Sequence, residues 1–80
     1  MPKYKRLKWS KHAKKRFAER GMNFDRVHET IEVPDISYPS KDALDRTVYR
    51  KKFEDSIYFV VVQEEKHEEA TIITVSKNDF

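Results

Sequence analysis

The chain reads as one α+β domain, two N-terminal helices packed on one face of a three- to four-stranded antiparallel sheet in the order β-α-α-β-β-β. Three observations predict it. Apolar residues recur at helical spacing between Ser10 and Val33, the period changes to that of strands from Thr47 onward, and eighty residues leave room for one small core. With no Cys, neither a disulfide framework nor a thiolate metal site reinforces that core.

Taken in order, Tyr4 to Ser10 (YKRLKWS) alternates Leu7 and Trp9 with basic residues, as a short basic edge strand does. Ser10 is placed to N-cap a helix running to about Arg20, and Gly21 suits the left-handed position that ends it. Asn23 caps a second helix. Met22 and Val27 form its hydrophobic staple, Asp25 faces the dipole, and Phe24, Val27 and Ile31 share one face. Val33-Pro34 ends it, because the residue before a proline is disfavoured in the α region. Residues 35–46 read as a loop with a short extended piece at Ile36 to Tyr38. Thr47–Phe53 and Ser56–Gln63 form a hairpin about Glu54-Asp55, the second run being apolar enough to be the central strand, and Ala70–Lys77 closes the sheet after the charged turn EEKHEE.

Charge is unevenly distributed. Residues 1–20 hold nine Lys or Arg against one acid, Glu19, whereas the remaining sixty hold eight basic and thirteen acidic groups. So dense a basic segment suits a polyanion, since counterion release from phosphates drives non-specific nucleic-acid binding. It also suits a solubilising face that pairs with the acidic remainder. The longest apolar run, Ile57 to Val62, is far short of the roughly 20 residues that span a bilayer, and the basic N-terminus is followed by no apolar signal segment. The expectation is a soluble, cytoplasmic protein with no membrane contact.

The first helix departs from the ordinary amphipathic pattern. On a wheel at about 100° per residue, Ala13 and Phe17 mark the core direction. Arg20, Arg16, His12 and Glu19 follow around one flank, while Lys11, Lys14 and Lys15 point away. Arginine beside a core ordinarily serves bidentate pairing with a carboxylate or a phosphate. Two alternatives stand side by side here: a phosphate clamp, or structural ion pairs in which Arg16 or Arg20 is locked with Glu19, Asp45 or Asp42. A lone His in a first helical turn is more often a surface or hydrogen-bonded histidine than a proton-transfer group, and the two arginines and the glutamate beside His12 favour the second reading. On the strands, Arg50 and Lys52 share a face that Tyr49 does not. Tyr49, Phe53, Tyr58 and Phe59 suit either the core or base stacking, with core the simpler reading. His28 lies at the edge of the second helix's apolar face. His67, Glu68 and Glu69 are adjacent and point apart, which makes a poor metal site.

The stretch from Ser10 to Met22 reads S-x-H-A-x-x-R-x-x-E-R-G-M. With Val27, Pro34-Asp35 and Ile73-Thr74-Val75, it resembles a family of small uncharacterised prokaryotic domains that open with H-A-x-x-R-x-x-E-R-G-I. The order of elements is similar to BrnT and, more distantly, to RelE-type toxins, whose fold is shared with barnase-like ribonucleases. That resemblance implies a metal-independent endoribonuclease, the toxin of a toxin-antitoxin pair, acting on RNA without a cofactor and neutralised by an acidic antitoxin protein. It carries over to His12, Arg16, Glu19 and Arg20, less firmly to Arg50 and Thr74, and least to Lys77, because BrnT-like chains have a longer basic ending.

The chemistry is coherent. Attack by a 2′-hydroxyl needs a base, an acid for the leaving 5′-oxygen, and cations for the charge on phosphorus. His12 and Glu19 are candidates for the proton transfers and Arg16, Arg20 and Arg50 for the clamp, with Lys8, Lys11, Lys15, Lys52 and Lys77 as further nucleic-acid contacts. Two other function classes remain open: a non-enzymatic basic nucleic-acid-binding module, and a small protein-interaction domain that works through its charge asymmetry.

Overall fold

The computed structural model describes residues 4–41, 45–66 and 68–80. The elements are β1 (Arg6–Trp9), α1 (Lys11–Glu19), α2 (Phe24–Glu32), β2 (Ile36–Pro39), β3 (Arg46–Lys52), β4 (Ser56–Glu64) and β5 (Glu69–Asp79). They form one five-stranded sheet in the order β1-β5-β4-β3-β2, and the core residues of both helices join those of one sheet face in a single cluster. The α+β class is as the sequence predicts, and the apolar run of β4 is indeed central.

Two details differ from the sequence reading. The extended piece expected at Ile36 to Tyr38 is a full edge strand, Ile36–Pro39, and with it the sheet has five strands rather than three or four. That strand is exposed along its whole length and pairs antiparallel with β3, so its few apolar residues give little sign of burial. The sheet is also mixed, because β1 pairs parallel with β5. Both edges are guarded: β1 is short and basic, and β2 ends on Pro39, which offers no N–H to a further strand.

Both helix caps are those the sequence indicates. Ser10 Oγ accepts from Ala13 N, and Asn23 Oδ1 accepts from Arg26 N. Gly21 has φ +58°, the left-handed conformation that favours glycine, and Met22 and Val27 are both buried. Tyr58 adds a tertiary cap, since its hydroxyl accepts from Asn23 N at 2.9 Å and so seats α2 on the central strand. At the other end of α2, Lys51 Nζ donates to the Val33 carbonyl at 2.7 Å and lies 3.4 Å from Glu29. That cation meets the negative end of the helix.

A register shift between Val61 and Val62 leaves Ile73 as the extra residue of β5. The bulge keeps Ala70, Ile72 and Val75 on the covered face with Tyr58, Val60, Val62 and Tyr49, and all seven are buried. It also turns the Ile73 carbonyl to Ser10 Oγ at 2.9 Å, while Ser10 N donates to Ile72 O. The start of α1 is thereby tied to β5.

Arg26 links α2 to the hairpin between β3 and β4. Its Nη1 donates to Asp55 Oδ1 at 2.6 Å and its guanidinium stacks over Phe53 at 4.8 Å. The hydrogen bond from Arg26 holds the Asp55 carboxyl below the usual carboxylate range. A depressed pKa contributes stability that is present above the unfolded value of about 4 and is lost as pH falls through the folded value. Asp55→Asn is therefore expected to flatten the acid side of the stability curve below about pH 4 while slightly lowering stability at pH 7, read by urea denaturation across that range. An unchanged acid limb would show the pair to be without effect.

Candidate functional site

Helix α1 lies over β5 with Ala13 as its fully buried anchor and Phe17 packed at the edge of the core. Ala13 lets the helix approach the sheet closely, and this sets how far the neighbouring long side chains extend. Arg16 is half-buried beside that anchor, whereas His12, Glu19 and Arg20 are exposed. Position 16 is one turn from 12 and just under one turn from 19, so the three side chains follow one flank of the helix. Along the axis, His12 and Glu19 are about 10 Å apart, at about 1.5 Å per residue. Glu19 leans toward the helix N-terminus, as helical side chains do, and so toward Arg16.

The ion-pair alternative for these groups receives no support among the described residues. The ion pairs there join Lys5 to Glu68, Arg6 to Glu69, Arg26 to Asp55, Lys51 to Glu29 and Lys77 to Asp79. None involves Lys11, Lys14, Lys15, Arg16, Glu19 or Arg20. Asp45 accepts instead from Gln63 Nε2, and Asp42 lies outside the described residues. Arg16 Nε is buried with no hydrogen-bond partner. With Nε closed off from solvent, an anion from outside meets this guanidinium at its terminal Nη donors.

Most of the remaining predicted residues are not gathered at this helix. Lys11 and Lys15 are exposed on α1 itself. Arg50 lies across from Phe59 on β4 and Ile36 on β2, on the face of the sheet away from the helices, without a side-chain partner among the described residues. Lys52 and Lys8 share that face. Lys52 Nζ stands 5.5 Å over the Phe80 ring, and Lys8 sits opposite Thr71 at the β1 edge. Thr74 is there too, opposite Val61. Lys77 is on the covered side beside Tyr58, its ammonium 3.2 Å from Asp79. The predicted clamp therefore divides between a helical part (Arg16, Arg20) and a separate sheet residue (Arg50), and alternation along β3 is the reason. Of the strand aromatics, Tyr49 and Tyr58 are core, Phe53 is half-buried against it, and Phe59 is on the uncovered face.

Sequence reasoning missed a second feature. Phe24 is assigned to the core by its spacing with Val27 and Ile31, yet it is 55% exposed. At the first turn of α2 it extends past the core and stacks near-parallel on Trp9 at 5.9 Å, with His28 against it at 4.4 Å. Phe17 meets Trp9 edge-on at 5.3 Å. Trp9, Phe17, Phe24 and Lys14 line a cleft of about 280 Å³. The i, i+4 spacing of Phe24 and His28, together with the alternation in β1 that turns Trp9 toward the helices, was the sequence signal for it. His28 Nε2 is buried beside these rings with no partner.

Among the described residues there is no group of three His, Asp or Glu side chains that could hold a metal, and no helix is long and apolar enough to cross a membrane. His67 lies outside the described residues. No curated protein and no solved structure matches the chain. A family model described as a domain of unknown function (DUF4258) matches residues 9–77, from Trp9 through both helices to the last strand, and the chain belongs to that family.

Proposed function

We propose that the protein is a metal-independent endoribonuclease that binds single-stranded RNA along α1 and cleaves it through 2′-hydroxyl attack. One observation carries the reading: Arg16, half-buried with an unpartnered Nε, sits between exposed His12 and Glu19 on one helical flank. In this account Arg16 holds the scissile phosphate, with Arg20 one turn further along. His12 exchanges a proton with the 2′-hydroxyl or the leaving 5′-oxygen, and Glu19 serves the opposite transfer. The exposed lysines Lys11 and Lys15 bind neighbouring phosphates. The unpaired cations of α1 suit neutralisation by an acidic antitoxin protein equally well.

A second reading, a non-enzymatic RNA-binding module, is favoured by the placement of Arg50 on the far sheet face, which leaves the flank open to solvent on its outer side. Labelled single-stranded RNA incubated with the protein in EDTA, beside the same sequence as DNA and with and without ribosomes, separates the two. Cleavage of RNA alone supports the enzyme, and a shift of intact RNA supports the module.

Both readings require phosphate contacts by α1. Lys11→Gln/Lys15→Gln is expected to reduce the slope of log affinity against log salt by about 1.4, near 0.7 per single-stranded phosphate contact, read by anisotropy between 50 and 300 mM salt. An unchanged slope places the phosphates elsewhere.

A further inference from the structure

We infer that the cleft between β1, α1 and α2 is a nucleobase-stacking subsite. It deepens the RNA reading above by naming where the strand is anchored away from the cleaved bond, and it rests on that reading.

Four observations lead there. The cleft's apolar walls are aromatic rings, Trp9, Phe17 and Phe24, and Phe24 is more than half exposed, so aromatic surface of the group is open to solvent. Its volume of about 280 Å³ admits a flat heterocycle. Lys14 forms its polar wall and has no ion-pair partner among the described residues, so a phosphate attached to the stacked base has a cation within the same site. The surrounding charge also has a direction: the first turn of α2 exposes Asp25, whereas the outer side of α1 exposes Lys11, Lys14 and Lys15. A polyanion leaving the cleft is turned over α1 and away from α2.

That route ends at the proposed cleavage flank. Lys14 and His12 lie on nearly opposite sides of α1, and Lys11 and Lys15 occupy the surface between them. Half the circumference of a helix about 11 Å across is about 17 Å, a path that a short run of nucleotides covers. Base stacking on aromatic side chains tolerates any sequence, and each stacked base raises affinity roughly 5- to 150-fold by alanine substitution. The cleft accordingly fixes the distance between an anchored base and the scissile phosphate. The charge that surrounds it distinguishes a nucleotide from an apolar side chain of a protein partner, which would have no use for Lys14.

Trp9 is the sole tryptophan and reports on its own site. The test uses a 2′-O-methyl oligonucleotide, which cannot be cleaved through a 2′-hydroxyl, a version carrying abasic residues, and adenosine monophosphate. Binding is followed by anisotropy and site occupancy by Trp9 emission, for the unmodified protein and for Phe24→Ala. Phe24 is exposed enough that its removal leaves the core intact, which circular dichroism checks.

The expected result is quenching of Trp9 by the oligonucleotide, weaker binding of the abasic version without quenching, and a loss of affinity of roughly fivefold or more in Phe24→Ala. Equal affinity of both oligonucleotides with undisturbed Trp9 emission overturns the subsite and leaves the RNA reading standing. Failure of the oligonucleotide to bind, with Phe24-dependent quenching by the mononucleotide, upholds a nucleotide site and removes the RNA reading. Failure of every ligand to bind or quench overturns both.

Discussion

His12→Ala/Glu19→Gln is expected to lower RNA cleavage by about 10²- to 10⁴-fold, the range that positioned proton transfer contributes, while affinity for an uncleavable RNA stays within about twofold. The separation follows from where the two groups sit. Both are exposed on the flank of α1, neither pairs with a described residue, and neither reaches the core, so their loss leaves the fold and the lysine-lined outer surface in place. Arg16→Ala contrasts with this: removing the guanidinium is expected to weaken binding and cleavage together, because in the proposed account it holds the phosphate in ground state and transition state alike. The measurement pairs initial cleavage rates with anisotropy on a 2′-O-methyl oligonucleotide. If affinity falls in step with rate in the double variant, His12 and Glu19 are contacts and not proton-transfer groups.

The largest effect on stability is expected at Ile72. Its side chain is fully buried between β1 and β4, opposite Trp9 and Val62, and its backbone carbonyl accepts from Ser10 N at the entrance to α1. Ile72→Ala removes buried methylene surface and leaves a cavity in a two-layer core, at a cost of about 2–5 kcal/mol. An eighty-residue domain has only about 4–12 kcal/mol in total, so the variant stands near the edge of folding. Urea denaturation reads this as a lowered midpoint with an unchanged slope. A shift below about 1 kcal/mol would mean that β5 and the helix entrance relax around the defect. The effect reaches the site, since the same stretch of β5 carries the Ile73 carbonyl that receives Ser10 Oγ.

Most of the fold is written in local chemistry. Ser10 and Asn23 are preferred N-caps, Gly21 tolerates the left-handed state that ends a helix, and Pro34 disfavours the α region at Val33, so both helices have legible ends. The central strand is legible because Ile57 to Val62 is apolar throughout. Strand β2 is legible only as a short extended piece, and not as a member of the sheet, because it borrows its order from β3 and buries almost nothing of its own. The parallel pairing of β1 with β5 is a long-range choice to which no local pattern points.

The candidate site divides the same way. Helical periodicity places His12, Arg16 and Glu19 together from sequence alone, since three residues on one helix need no tertiary information. Arg50 could not be placed so, as its face depends on which side of the sheet the helices cover. The aromatic cleft assembles from three elements, and Phe24 obeys the spacing of a core residue while occupying the end of a helix that overhangs the core.

The central claim is that the flank of α1 cleaves RNA by way of its 2′-hydroxyl. A DNA oligonucleotide carrying a single ribonucleotide, incubated in EDTA with and without ribosomes beside its all-DNA counterpart, tests that claim most directly. The account expects one cut, 3′ to the ribonucleotide, leaving a 2′,3′-cyclic phosphate, and its loss in His12→Ala/Glu19→Gln. Cutting of both strands alike, or a bound and intact oligonucleotide under every condition, contradicts it.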